Sequence, residues 1–269
     1  NSKRMVINAF NSGASGYMLD LEDSMSPSWE NVINGHDNIY HAIRKTIYDA
    51  KYDNDGNILK EYTINHGPLP TFFVRSRGLH MREYNVLDDN KNPISATIFD
   101  IGTHLFNNGW YLHKNYMGPY LYTPKLESYE DAQLINKIIS ESQKMLELPN
   151  GTTKTTVLIE TFPAIFQTHE IIYALKDHIA GLNCGRWDYL FSMIKCLRSK
   201  TILPDKNILT MDKPFLNAYV QQIVSSCHSR GIHAMGGMSA FIPTNNKEEN
   251  KDILEKINND KLLEIERGC

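Results

Sequence analysis

The sequence predicts an α/β fold with a mainly parallel sheet. Stretches rich in β-branched residues alternate with stretches whose apolar residues recur at helical spacing, which is typical of this class. In addition, residues 155–191 have the pattern of a strand, loop, helix, strand and loop, with Pro163 separating the first strand from its helix. The strands predicted in this way end at Asp23, Gly78, Glu127, Glu160, Gly185 and about Ser239.

The remaining elements are predicted in chain order from caps, breakers and periodicity. Residues 2–11 form a helix with Ser2 as its N-cap and Gly13 available beyond its end. Residues 51–67 mix Asp, Asn and Gly in the manner of a hairpin, and residues 244–251 are interpreted as a polar, linker-like segment. Further helices are predicted at 95–107, 130–148 and 213–228, and strands at 16–23, 70–78, 119–127 and 232–241.

Composition and charge exclude some classes of protein. The 269 residues are 41% hydrophobic and 22% charged, which suits one barrel-sized domain or two small ones. A net charge of −3 without a basic cluster gives no footprint for nucleic acid. The sequence has no apolar run of the roughly 18 residues that a membrane span needs. We therefore expect an intracellular, soluble protein with neither a nucleic-acid nor a membrane partner.

The four cysteines are spread along the chain without a CxxC pair, so neither a zinc ribbon nor a disulfide framework is indicated. Cys184 is the one cysteine close to a predicted site. It could be a nucleophile, but no base is visibly paired with it, which favours a small buried residue that fills space.

Two carboxylates are predicted at neighbouring strand ends. Glu160 ends one strand, and Asp188 follows the next strand in a glycine-bearing loop. Because the carboxyl ends of parallel strands lie side by side, the two can meet in one pocket. Mg²⁺ usually takes only one or two protein carboxylates, so a metal site is one interpretation. The other is a helix cap or surface ion pair at Glu160 and an ordinary loop acid at Asp188.

Charged residues also end other predicted strands. Arg75 and Arg77 follow one strand, and a guanidinium suits a carboxylate substrate or a developing enolate oxygen. A salt bridge to Asp20 or Glu22 is the alternative, and the two roles are compatible. Lys125 is either an anion-binding residue or the partner of a glutamate that holds neighbouring strands together.

Six segments carry a more specific signal. In chain order they read INAFNSGASGYMLDLEDSMSPSWENVI, LPTFFVRSRGLH, GPYLYTPKLES, VLIETFPA, HIAGLNCGRWDY and CHSRGIHAMGGMSAFIP. Together they resemble the short form of the malate synthase family of bacteria, plants and fungi. The resemblance covers essentially the whole chain. It implies a TIM (β/α)₈ barrel as a single catalytic domain over residues 1–269, truncated at both ends so that the first and last strands are missing.

The resemblance also implies an activity and a site. The family is a Mg²⁺-dependent acyltransferase of the glyoxylate cycle, which condenses acetyl-CoA with glyoxylate and hydrolyses the thioester to malate and CoA. By resemblance, Glu160 and Asp188 are the Mg²⁺ ligands, and Arg75 is the catalytic arginine. Asp20 and Glu22 are the supporting acids. The implied substrate-binding residues are Gly185, Arg186, Trp187 and Asp188, whose backbone N–H groups hold the glyoxylate carboxylate, and Phe241 and Pro243, near the acetyl-CoA channel.

Two alternatives stay open at the level of sequence. The family's general base is an aspartate in a C-terminal domain that we expect this chain to lack, so a truncated, non-catalytic homologue is one alternative. The other is a lyase of the citramalyl-CoA or malyl-CoA type, which shares a barrel, a Mg²⁺-binding Glu/Asp pair and an arginine. The last three residues, 267–269, are not a Ser-Lys-Leu-type tripeptide, so both the peroxisome or glyoxysome and the cytoplasm stay open as locations.

Overall fold

The computed structural model of the chain divides into two compact units. The first comprises Asn1–Pro124 and Asn136–Thr155, and the second comprises Lys125–Ile135 and Thr156–Cys269. The structure describes residues 2–200, 202, 204–205, 209, 211, 213–239 and 244–269.

The first unit is built on parallel strands. It contains α1 (Lys3–Phe10), β1 (Gly16–Asp20), α2 (Trp29–Ile43), β2 (Tyr48–Tyr52), β3 (Ile58–Thr63), β4 (Thr71–Arg75), β5 (Arg82–Leu87), β6 (Pro93–Ser95), α3 (Ala96–Lys114) and β7 (Tyr120–Thr123). Strand β4 lies between β1 and β7 and is parallel to both. The register sets Asp20 opposite Arg75 at the carboxyl ends of β1 and β4. Two polar side chains of opposite charge are therefore neighbours at one edge.

Two elements cross the boundary between the units, and the rest belong to the second unit. Helix α4 (Tyr129–Met145) and strand β8 (Lys154–Ile159) have residues in both units. The second unit continues with a 3₁₀ turn (Ala164–Gln167), α5 (Thr168–Ala174), β9 (Ile179–Cys184), α6 (Arg186–Leu197), α7 (Pro214–His228), β10 (His233–Met235) and α8 (Lys247–Glu266). Strand β9 lies between β8 and β10, and β10 is parallel to it.

The α/β prediction is confirmed, because strands and helices alternate and the strands at the centre of each unit are parallel. Each of the predicted strands is present, although β1 ends at Asp20, β4 at Arg75, β7 at Thr123 and β10 at Met235, before the predicted bounds. A closed barrel of eight strands is not established by these elements and stays a prediction. Among the residues that the structure describes, no helix is both long and apolar enough to cross a membrane.

Several local predictions need correction. The segment predicted as a polar linker at 244–251 contains the start of α8, because the side chain of Asn246 caps the helix by accepting the N–H of Glu248. Helix α3 continues to Lys114, well beyond the predicted end. Its extension is held by packing, since Leu112 is fully buried. Helix α2 and the antiparallel pair β5 and β6 were not predicted.

Candidate active site

Arg75 and Asp20 form a buried ion pair in the first unit. Nε of Arg75 donates to Oδ1 of Asp20 at 2.7 Å, and one terminal nitrogen donates to Oδ2 at 2.6 Å. The other terminal nitrogen is 3.5 Å from Oε2 of Glu22 and 3.9 Å from Oδ2 of Asp23. The two-point contact fixes the plane of the guanidinium, so Asp20 and Glu22 support Arg75 in this structure.

The environment keeps both partners of this pair charged. Burial by itself would raise the pKa of Asp20, but the hydrogen bonds and charge of Arg75 and the backbone N–H groups of Glu22 and Ser24 outweigh it and lower that pKa. Burial would lower the pKa of Arg75, and the carboxylates of Asp20, Glu22 and Asp23 raise it instead. The lowered pKa favours the carboxylate form of Asp20, which makes it a weaker proton acceptor.

Arg77 belongs to a separate, closed network. Its backbone N–H and Nε both donate to Oδ2 of Asp100, at 2.8 and 3.0 Å, and one terminal nitrogen donates to Oδ1 at 2.8 Å. The other terminal nitrogen donates to Oε2 of Glu83 at 2.9 Å. The side chain of Arg77 is 1% exposed. Such full engagement indicates that Arg77 stabilises the unit.

In the second unit, Glu160 and Asp188 are joined by one ammonium group. Nζ of Lys125 lies 3.4 Å from Oε1 of Glu160 and 3.1 Å from Oδ1 of Asp188. Glu160 follows β8 and is almost fully buried, whereas the side chain of Asp188 is 34% exposed. The structure thus brings both predicted carboxylates to one cationic centre.

The second predicted role of Lys125 fits the structure, because it is paired with a glutamate that follows another strand. Its contact with Asp188 was missed. The sequence holds no signal for that contact, since the two residues are far apart in the chain and Asp188 was predicted to lie in a loop. Asp188 lies instead in the first turn of α6, which begins directly after Gly185.

The start of α6 brings backbone close to Glu160. A Cβ atom on Gly185 would lie 2.5 Å from Cβ of Glu160 and 3.1 Å from its Oε2, so glycine is required for this approach. Arg186 is buried. Its Nη1 lies 3.9 Å from Oδ2 of Asp260, and its Cζ lies 4.8 Å from the centre of the Trp187 ring. The first N–H groups of a helix have no carbonyl partner within it, so they can bind an anion.

The donor set fits a magnesium ion. Mg²⁺ takes oxygen ligands and is commonly bound by one or two carboxylates, with water and substrate in its other positions. The ammonium of Lys125 shows that the oxygens of Glu160 and Asp188 face one cationic centre. Among the described residues there is no cluster of three or more His, Cys, Asp or Glu side chains that could hold a metal.

The other residues predicted for the site have different outcomes. Phe241 and Pro243 lie outside the described residues. Cys184 is buried at the end of β9, where a hydrogen bond with the thiol of Cys269, together with burial, raises the pKa of Cys184. A thiol with a raised pKa is a poor nucleophile, which agrees with a space-filling role. Glu264 was not predicted, and its side chain accepts the N–H of Gly237 at 3.1 Å.

Comparisons with known proteins place these residues in a family context. Residues 71–269 match the family model described as malate synthase, TIM barrel domain. The chain is 46% identical over 269 residues to malate synthase of Myxococcus xanthus, 44% identical to glyoxysomal malate synthase of Candida tropicalis, and 44% identical to malate synthase A of Escherichia coli. Each alignment covers 99% of this chain but only 48 or 49% of the relative. The chain thus spans about half the length of the curated relatives it matches.

A solved structure supports the fold independently. The crystal structure of RipC from Yersinia pestis aligns with a TM-score of 0.55 over 95% of this chain and 80% of that protein. The sequence identity is 18%, so the likeness concerns the fold alone.

Proposed function

The chain belongs to the malate synthase family, and from this membership we propose that it carries out the Mg²⁺-dependent condensation of acetyl-CoA with glyoxylate, followed by hydrolysis of the thioester to malate and CoA. The observation that carries the proposal is the pair of Glu160 and Asp188 on the ammonium of Lys125. Two carboxylates around one cationic centre are the protein ligands that a magnesium site with open positions needs.

In the proposed complex, Glu160 and Asp188 hold Mg²⁺, which when bound polarises the carbonyl group of glyoxylate as a Lewis acid. The backbone N–H groups at the start of α6, from Gly185 to Asp188, are the donors that we assign to the glyoxylate carboxylate. The close approach of Gly185 to Glu160 supports this assignment, because it sets the anion-binding backbone beside a metal ligand.

Arg75 is the residue that we assign to the enolate of acetyl-CoA. When a general base, by the family resemblance an aspartate of the C-terminal domain, takes a methyl proton, negative charge is left on the thioester oxygen, and a guanidinium in a fixed orientation stabilises that charge. The enolate carbon then forms the new C–C bond to the glyoxylate carbonyl, and water later releases CoA from the thioester. Asp20 holds the guanidinium in place at 2.6 and 2.7 Å, and its lowered pKa makes it unsuited as the base.

The role of Arg75 is proposed from the family resemblance. Contacts of acetyl-CoA with Phe241 and Pro243 are proposed from the family resemblance only.

The test is product analysis with acetyl-CoA, glyoxylate and Mg²⁺, in which malate and free CoA thiol are measured together. Arg75→Gln should lower malate formation by at least about 10²-fold, the usual effect of losing an electrostatic contact to the reacting oxygen. Glu160→Gln should also lower it, because it removes a proposed Mg²⁺ ligand. Glu141→Gln is the matched control, because Glu141 is an exposed glutamate on α4. Cleavage of citramalyl-CoA without malate formation, or an unchanged rate in Glu160→Gln, would refute the proposal.

A further inference from the structure

Lys125 contacts the carboxylate pair through two different groups. Its backbone N–H donates to Oε1 of Glu160 at 2.8 Å, and its Nζ lies 3.4 Å from that same oxygen. The same Nζ lies 3.1 Å from Oδ1 of Asp188. One residue therefore reaches both predicted metal ligands and binds one of them twice.

The backbone of Lys125 adopts an uncommon conformation at this point. Its φ angle is +57°, in the left-handed region that residues with a side chain rarely adopt. Local strain of this kind persists where surrounding contacts enforce it, and it is concentrated at functional sites. Here the strained residue is the one that supplies the N–H and the ammonium to Glu160.

Electrostatics explain why a cation is needed beside the carboxylates of Glu160 and Asp188. The side chain of Glu160 is 2% exposed, so a second carboxylate at Asp188 would be costly beside it without a positive charge. The side chain of Lys125 is itself only 19% exposed. It supplies one positive charge to two negative ones, which leaves the three groups with a net negative charge that still attracts a divalent cation.

The ammonium and a divalent cation compete for the same oxygens. Mg²⁺ binds carboxylate oxygen at about 2.1 Å and demands near-octahedral geometry. Nζ of Lys125 contacts one oxygen of each carboxylate, Oε1 of Glu160 and Oδ1 of Asp188. A divalent cation on the same carboxylates would be repelled by the ammonium, so Lys125 opposes binding of the metal.

We propose that Lys125 is a counter-ion of the carboxylate pair, which holds Glu160 and Asp188 together and competes with Mg²⁺ for them. This inference rests on the proposed function, since it takes the pair to be the magnesium site. Lys125 is then a positioning residue whose presence lowers the affinity for Mg²⁺.

Two neutral variants test this proposal. Lys125→Met keeps the length of the side chain, and Lys125→Gly removes the strain of the left-handed backbone, so failure of one variant to fold leaves the other. Lys144→Met is the control, because that lysine is 80% exposed. Mg²⁺ affinity is measured by titration calorimetry, and the melting temperature is measured without Mg²⁺ and at saturating Mg²⁺.

We expect both neutral variants to bind Mg²⁺ about tenfold more tightly or better, since a competing unit charge is gone. The melting temperature of each variant should also fall further than that of the wild type when Mg²⁺ is removed. The reason is that tighter binding to the folded state gives greater stabilisation. Lys144→Met should behave as the wild type in both measurements.

Opposite outcomes overturn the inference. If both variants bind Mg²⁺ more weakly than the wild type, Lys125 assists binding of the metal. If Mg²⁺ raises the melting temperature of the variants by as much as that of the wild type, Lys125 has a purely structural role. If neither the wild type nor the variants bind Mg²⁺, the inference and the proposed metal site both fail. If the variants behave as expected but no malate forms, only the proposed function fails.

Discussion

Acidification should destabilise the protein through His104, a histidine on α3. Its side chain is 1% exposed, and its Nδ1 lies 3.3 Å from the amide nitrogen of Asn108. Within the described part of the chain, its buried Nε2 has no hydrogen-bond partner. Burial, with a smaller contribution from the charge of His36, lowers the pKa of His104 to about 3. The folded protein therefore holds this imidazole neutral at every pH above that value.

The sign and size of the effect follow from linkage. In the unfolded chain the imidazole of His104 binds a proton below about pH 6.5, whereas in the folded protein it does so only near pH 3. Stability is therefore lost as the pH falls below about 6.5, by about 1.4 kcal/mol for each pH unit. Between about pH 7.5 and about pH 5 the loss from this one group is about 2 kcal/mol.

The assay is equilibrium urea unfolding at both pH values, for the wild type and His104→Gln. The comparison uses only the change with pH, so any constant cost of the substitution cancels. The wild type should lose about 2 kcal/mol more than His104→Gln on acidification. His169→Gln, which removes an exposed histidine on α5, should follow the wild type. An equal pH dependence in the wild type and His104→Gln would show that His104 is not held neutral by burial.

Two further changes test the buried network and the site. Asp100→Asn should destabilise the protein by about 3–5 kcal/mol in urea unfolding, because it removes a carboxylate that binds the buried guanidinium of Arg77. The exposed Asp89→Asn should have little effect, and a similar loss in both variants would contradict this reasoning. Gly185→Ala should weaken Mg²⁺ binding in titration calorimetry, because the added Cβ would lie 2.5 Å from Cβ of Glu160. Far-UV circular dichroism should be unchanged, because the φ angle of Gly185 is −88°, which alanine can adopt. Wild-type Mg²⁺ affinity in that variant would exclude the steric contact.

Much of the site chemistry could be predicted from residue type and local position. Asp20, Arg75 and Glu160 were predicted near strand ends because each is a charged residue late in or directly after a predicted strand, where parallel strands deliver functional side chains, and their roles were predicted from the family resemblance. Asp188 was recognised for its place after the next strand, although the prediction set it in a loop and the structure sets it in a helix. Glycine occurs both in loops and directly before helices, so Gly185 could not show which of the two follows it.

Contacts between distant residues could not be predicted in the same way. Two arginines lie two positions apart at the end of β4 and directly after it, and the sequence offered both as ligands. In the structure each is paired with residues of other elements, Arg77 with Asp100 and Glu83 and Arg75 with Asp20. The partner of each guanidinium depends on strand pairing and helix packing, which no local pattern encodes.

The sequence by itself determined the α/β class, the order of most elements and the residue types at the strand ends. It did so because hydrophobic period, β-branching, caps and breakers act over a few residues. Only the tertiary structure decided that Lys125 adopts φ +57° and joins Glu160 to Asp188. That arrangement depends on charges brought together from separate elements, whose mutual repulsion and attraction arise only when the chain has folded.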